Sequence, residues 1–294
     1  MDQAQIEEVM ESVAVNKRCC IVVPIISTEL GLSELVSIQS LSNLKENYPI
    51  LFIGRRKSYT SNLSKLNELL PDRPFTFIEF DSRYFESLIS YSNLLMSSGF
   101  YRRFSRYDYL LIFQTDALIL RGDLSTFIRL DKPYFGAPWI DKNRATQKLL
   151  IGNGGLSLRK VDYFIEITRL NSIFPSKWWF NFTQQRFLRW GIVGLLFPLF
   201  YVLDVIVKVF GRSLFFEKMR LFSTAEDVSF AKWLVQHHTD MPTLKEAVDF
   251  SFESNPQRCY EINNQRLPFG CHAWERYDLE FWKAHVKEVN ALTK

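Results

Sequence analysis

Cysteine is scarce in this sequence, with four among 294 residues, at positions 19, 20, 259 and 271. No pair has the C-x-x-C spacing of a zinc site. Adjacent Cys19 and Cys20 on a strand would point to opposite faces, so neither a structural zinc nor a disulfide framework is indicated. A reducing compartment fits that usage. Low-complexity tracts, repeats and long runs of one charge are also missing, which argues against extended disorder. The net charge of +4 is small and no basic stripe interleaves with aromatics, so nucleic acid is not an expected partner. Neither G-x-G-x-x-G nor G-K-[ST] occurs, so a glycine loop cradling phosphate is not the mechanism on offer. Residues 1–18, MDQAQIEEVMESVAVNKR, lack the basic start and apolar core of a signal peptide, and a cytoplasmic location is expected.

Aromatic residues, by contrast, make up 15% of the chain, with 26 Phe and seven Trp, which suggests broad apolar surfaces, a membrane-facing one among the candidates. At 47% hydrophobic and 23% charged, the composition is globular, and the length suffices for one large α/β domain or two small ones. Short apolar runs predict buried strands at 19–26, 50–54 and 75–80. Helical spacing predicts helices over 31–46 and 87–104 between them. Such alternation is the pattern of a parallel sheet wrapped by helices. The next strand, over 107–120, reads YDYLLIFQTDALIL. Four apolar residues, Leu110 to Phe113, run straight into Gln114, Thr115 and Asp116. A carboxylate thus stands where a core strand ends, the end at which open α/β sheets bind ligands. It either starts a turn or holds a cation against a diphosphate.

Later stretches offer partners for it. In 135–139, FGAPW, Gly136 and Ala137 leave room beside Trp139. In 152–159, GNGGLSLR, three glycines in four positions permit close backbone approach, and Asn153 and Ser157 can bond hydroxyls; a plain turn before a helix at 161–170 is the alternative. Glu226 and Asp227 open a helix expected at 228–237, where the helix dipole favours acids, and a carboxylate so fixed can serve as general base. PFGCHAW, 268–274, presents His272 on a loop, followed by Trp274. A surface helix is expected over 277–289.

Residues 187–216 are the compositional anomaly. Trp190–Phe210, WGIVGLLFPLFYVLDVIVKVF, carries only Asp204 and Lys208 as charges, and a helix of that length at about 1.5 Å per residue could cross a bilayer core of about 30 Å. Pro198 divides it, however, and Asp204 and Lys208 share one face. A single crossing would also separate Asp116 from the later motifs. The basic flanks, Lys177, Arg186, Arg189, Arg212, Lys218 and Arg220, with Trp178 and Trp179, suit helices lying in a membrane interface. A buried helix pair or a dimer contact is the alternative.

Taken together, LLIFQTDALIL, YFGAPW, GNGGLSLRK, AEDVSF and PFGCHAW resemble a bacterial family of uncharacterised, glycosyltransferase-like proteins with the GT-A fold, over roughly residues 19–275 apart from the apolar insert. The resemblance implies one α/β domain over 1–294, GT-A-like, with a mostly parallel central sheet flanked by helices and an apolar helical insert at 176–220. It implies a divalent metal, Mn²⁺ or Mg²⁺, held by Asp116 and His272. Gln114, Thr115, Asp116, Asn153, Gly154, Gly155 and Pro24 would bind a nucleotide-sugar donor. Trp139 and Trp274 would wall the acceptor side, and Glu226 and Asp227 would face the acceptor, Asp227 as base if the reaction inverts. Expected partners are the donor, a lipid-linked or cell-surface glycan acceptor, and the inner-membrane surface, with peripheral attachment to its cytoplasmic face. The alternatives are a catalytically inactive partner protein in a polysaccharide assembly and a metal-dependent sugar-phosphate transferase.

Overall fold

The computed structural model describes residues 18–140, 151–169, 225–236 and 239–291. In chain order the first half comprises β1 (Cys19–Ile25), α1 (Leu32–Gln39), β2 (Ile50–Gly54), α2 (Arg56–Leu69), β3 (Phe75–Glu79), α3 (Leu88–Leu95), α4 (Ser98–Arg102), β4 (Tyr109–Phe113) and β5 (Ala117–Ile119). There follow α5 (Ser125–Arg129), β6 (Tyr134–Phe135), β7 (Leu156–Lys160), α6 (Val161–Arg169), α7 (Glu226–Gln236), α8 (Leu244–Phe250) and β8 (Ser251–Phe252). The chain closes with α9 (Pro256–Ile262), β9 (Gly270–His272), α10 (Leu279–His285) and α11 (Lys287–Ala291).

Six strands form the main sheet in the order β3-β2-β1-β4-β7-β6. The first four run parallel, with Ile21 opposite Ile50, Cys19 opposite Tyr109 and Ile50 opposite Phe75. Strands β7 and β6 are antiparallel additions, Leu158 facing both Leu111 and Phe135. Residues of β1, β2 and β4 are buried on both faces, as near-continuous apolar runs in a helix-covered parallel sheet must be. The side-chain period of two sorts β1 between two cores. Cys20 and Val22 pack on one face, and Cys19, Ile21, Val23 and Ile25 on the other. All four cysteines are buried and free. A second, small sheet, β5-β9-β8, sits at the carboxyl end of β4.

Several local expectations change. The 31–46 helix stops at Gln39 and continues as a 3₁₀ turn, Ser40–Asn43. The 87–104 helix breaks in two because Ser97 accepts a hydrogen bond from the Gly99 amide and so caps a new helix. The 107–120 stretch is two strands in two sheets, hinged at Gln114–Asp116. The glycine cluster leads into strand β7, with α6 only after it, so 152–159 is not simply the turn before a helix. The expected surface helix at 277–289 is α10 and α11, which bury Phe281, Trp282 and Val289 in a third core cluster with Trp274. Both the insert at 176–220 and the lead-in at 1–17 lie outside the described residues. Among the described residues no helix is long and apolar enough to cross a membrane.

The two sheets are joined by an aromatic cluster in which the Phe250 ring lies 5.0 Å from Phe127, 5.5 Å from Phe135 and 5.6 Å from Phe269. Phe250 is fully buried. The substitution Phe250→Ala is expected to cost about 3–5 kcal/mol, read as a lowered urea midpoint with unchanged slope.

Candidate active site

The chain leaves β1 toward β2 and β3 on one side and returns as β4 on the other. The crevice beyond the carboxyl ends of β1 and β4 is therefore the switch point where such sheets bind ligands. A cleft of about 720 Å³ opens there. Pro24 and Ile26 line it from the end of β1, Arg55 and Lys57 from the start of α2, Tyr91 from α3, and Gln114, Thr115 and Asp116 from the turn after β4. Thr115 donates to Glu34 at 2.9 Å, and the same carboxylate accepts the Gly31 amide at 2.9 Å, so α1 holds this turn from one side. Tyr91 is 3% exposed and stands at the cleft floor beside Gln114.

Asp116 meets His272 because β5 and β9 pair. With Ala117 opposite His272, Asp116 stands beside the imidazole, and the Ala273 amide donates to the Asp116 carbonyl at 3.0 Å. Nε2 of His272 lies 3.0 Å from Asp116 Oδ1 and 3.2 Å from Gln114 Oε1, and Nδ1 lies 3.1 Å from Glu253 Oε1. Glu253 follows β8 and takes a second bond from Trp139 Nε1 at 3.3 Å. Burial by itself lowers the His272 pKa, but the bonds to Asp116 and Glu253 and their charges outweigh it and raise it to about 9. Burial pushes both carboxyls up, and the His272 contacts more than reverse this, so each lies below its usual range. The result is a preformed, charged acid–imidazole–acid row.

The glycine turn closes on this row. Asn153, at φ 116°, accepts from the Gly155 and Leu156 amides through Oδ1 at 3.0 and 3.1 Å, and its Nδ2 lies 2.9 Å from His272 Nδ1. A Cβ on Gly155 would overlap the His272 ring, and one on Gly154 would overlap the Glu226 carboxylate. These two glycines are glycines because side chains come where Cβ atoms would be.

Two expected roles are corrected. Trp274 does not wall the cleft; it is 2% exposed in the third core cluster, with Nε1 3.4 Å from Ser37 Oγ. Glu226 does not face an acceptor; it is 5% exposed, its Oε1 3.3 Å from Arg159 and its Oε2 accepting from Ser92 at 3.0 Å. Trp139 is partly buried, its ring against Gly152. Asp227 is half-buried at the first turn of α7, and burial followed by the Glu226 charge raises its pKa to about 6. Glu253 and Arg159 carry site geometry that the sequence reading left unassigned. Glu253 had a signal, since it follows an apolar strand just as Asp116 does. Arg159 stood within GNGGLSLR with nothing to mark it as buried.

Two ligands at about 2.1 Å from an octahedral ion stand about 3.0 Å apart. Asp116 Oδ1 and His272 Nε2 already keep that spacing. Glu253 on Nδ1 directs Nε2 toward Asp116 in the manner of a carboxylate–histidine–metal array. The pair fits. Among the described residues no three His, Cys, Asp or Glu side chains form a complete cage, so further ligands would come from Gln114, water or substrate.

Asp227 gives a test by linkage. A carboxyl whose pKa rises from 3.8 unfolded to about 6 folded favours the fold while protonated. That contribution is full below pH 3.8 and lost as pH rises through about 6. Asp227→Asn, always neutral, is expected to raise the melting temperature by a few degrees at pH 7–8, worth at most about 3 kcal/mol, with no gain near pH 4. Gly155→Ala is expected to expel His272 from its place beside Asp116, read by NMR titration as a fall of the imidazole pKa from about 9 toward 6.5.

No curated protein sequence matches the chain. Among solved structures, mouse xyloside xylosyltransferase 1 in its apo form is similar at a TM-score of 0.50, with 11% identity over 87% of this chain and 96% of that one. The glycosyltransferase GlyE of Streptococcus pneumoniae TIGR4 matches with a TM-score of 0.37 and 13% identity, over 95% of this chain and 63% of that one. The first likeness shows a common fold, the GT-A-like α/β arrangement described above. The family described as "Protein of unknown function (DUF5672)" matches residues 74–272, more than half of the chain, ending on His272 itself. This chain therefore belongs to that family.

Proposed function

We propose that the protein is a glycosyltransferase that moves a sugar from a nucleotide-diphosphate donor to a hydroxyl of a membrane-associated glycan or glycolipid. The observation that carries this reading is the meeting of Asp116, His272 and the Asn153–Gly155 turn at the mouth of a switch-point cleft. A donor's nucleoside has room between Pro24, Ile26 and Tyr91, with Arg55 and Lys57 supplying positive charge. Its diphosphate would lie toward Asp116. A divalent ion on Asp116 and His272 would supply the charge that stabilises the diphosphate as it leaves.

The chain's own residues would do the rest. The acceptor oxygen attacks the anomeric carbon, the glycosyl–phosphate bond breaks with its electron pair leaving on the nucleoside diphosphate, and the acceptor proton passes to Asp227. A carboxylate with a pKa of about 6 is a better base than an ordinary one and is still ionised at neutral pH. Glu226 is unsuited to that step because both of its oxygens are engaged. Asn153 fixes the glycine turn by accepting the Gly155 and Leu156 amides and stands against His272, which keeps the sugar side of the site rigid. Support for a membrane acceptor comes from the sequence at 190–210 and its basic flanks alone.

A thermal-shift screen of nucleoside diphosphates and nucleotide sugars, with and without Mn²⁺, tests the reading. One nucleotide at 100 times its dissociation constant is expected to stabilise the wild type by about 2.7 kcal/mol, a few degrees, only with Mn²⁺. In Asp116→Ala the shift should vanish. A screen in which no nucleotide shifts the wild type sinks the proposal in favour of a catalytically inactive partner protein. For the membrane, the intact chain is expected to float with anionic liposomes; a chain that stays in the soluble fraction removes that part.

A further inference from the structure

Arg159 and Glu226 make a salt bridge where water does not reach, with side-chain exposures of 0% and 7%. Burying two such charges costs several kcal/mol each, and well-packed apolar residues of the same volume usually leave a protein equally or more stable. Stability alone therefore does not account for the pair. Its contacts are geometric. Arg159 Nη2 donates to Glu226 Oε1 at 3.3 Å and to the Gly154 carbonyl at 3.4 Å, Nη1 donates to the Tyr101 hydroxyl oxygen at 2.8 Å, and Nε donates to Ser157 Oγ at 2.9 Å. The guanidinium lies 5.5 Å from the Phe164 and Phe230 ring centres, which hold it in plane. Ser92 of α3 secures the other Glu226 oxygen at 3.0 Å. The pair thus ties β7, α3, α4 and the first turn of α7 to the 153–155 turn at one point, and Gly154 lacks a side chain because the Glu226 carboxylate stands in its place.

We propose that the Arg159–Glu226 pair is a positioning device for Asp227, clamping the start of α7 to the glycine turn so that the Asp227 carboxylate keeps a fixed relation to the His272 row. The inference rests on the reading of Asp227 as the base. Groups facing Asp227 are Glu226 on its own helix, Glu253 from the end of β8, Arg159 from β7 and Tyr134 from β6. Glu226 is next in sequence, so its carboxylate acts on Asp227 both through the shared backbone turn and through charge, and both effects end if the pair is dismantled. Burial and the Glu226 charge raise the Asp227 pKa while Arg159 lowers it, which agrees with a pair that sets Asp227's surroundings.

The test is a double-mutant cycle on the full chain, read by thermal unfolding from pH 4 to 8. The variants are wild type, Glu226→Gln, Asp227→Asn and the double substitution. Gln at 226 keeps the length and can still meet Arg159 and Ser92 but carries no charge. The stabilising gain from Asp227→Asn at pH 8 is expected to fall by at least half in the Glu226→Gln background, and its midpoint to move about one pH unit lower. An equal gain with an equal midpoint in both backgrounds overturns the proposal; because loss of the Glu226 charge alone would also lower the midpoint, Ser92→Ala, which keeps that charge, is measured beside it, and an unmoved Asp227 midpoint in Ser92→Ala overturns the proposal as well. If Glu226→Gln does not fold, Ser92→Ala replaces it in the cycle, because it frees one Glu226 oxygen without removing charge. A shift of several tenths of a pH unit is then expected, and no shift is the overturning result. Once a donor is known, Ser92→Ala should lower kcat several-fold at constant donor KM; a raised KM at constant kcat counts against positioning. Nucleotide-induced stabilisation of the wild type is measured in parallel, so that failure of the donor reading shows separately from failure of this one.

Discussion

The pairing of β5 with β9 is the contact on which the site depends. These two three-residue strands set Ala117 opposite His272, and every distance around the imidazole follows from that register. Because side chains alternate along a strand, a slip of one residue would turn His272 away from Asp116 and bring Cys271 in its place. The slip is prevented by burial. Cys271 packs in the third core cluster with Leu118, Phe252 and Trp274, where the charged imidazole could not go. Further along, the Leu120 and Arg121 amides both donate to the Phe269 carbonyl, which secures the ladder just beyond its last pair.

A second constraint acts on charge. Asp116, Glu253, His272, Asp227, Glu226 and Arg159 gather in one region, all but Asp116 largely withdrawn from water, and each charge must have a partner or change its protonation. Five of them solve this through ion pairs, His272 with its two carboxylates and Arg159 with Glu226. Asp227 is the exception. Among the described residues it takes a hydrogen bond from the Val228 amide at 2.6 Å and sits beside Glu226 and Glu253, which Arg159 offsets only in part. A carboxyl left in that condition costs stability above its pKa, and such a cost persists where a site uses the group.

Close approach links these two constraints. The 153–155 turn runs between the imidazole and the buried ion pair, and both reach positions that a Cβ would occupy. Asn153 makes the turn possible by bonding its own following amides, which suits its positive φ. One short segment thus touches the row at His272 and the pair at Arg159, so that the two halves of the site are set by the same backbone.

Some of this was legible in the residues. Short apolar runs marked β1 to β3 within a residue or two and the core of β4 at 110–113, because fully buried parallel strands admit little but apolar side chains. Asp116 stood out because a carboxylate ended such a run, and the glycines of 152–155 because nothing else in the chain packs three into four positions. Ser97 also carried its helix break, yet a cap is hard to tell from a serine in a helix until the hydrogen bond is seen. Trp274 was misplaced because loop residues beside a glycine look exposed, while here its ring fills the core under α1. What the sequence alone determined was the α/β alternation, the acid at a strand end and the pliant turn, all products of local pattern. What only the tertiary structure decided was which acid pairs with which base: Glu253 with His272, Arg159 with Glu226, and Asp227 beside Glu226 and Glu253, without an ion pair of its own among the described residues. Those choices come from strand register and burial between segments far apart in the chain, and no local pattern encodes them.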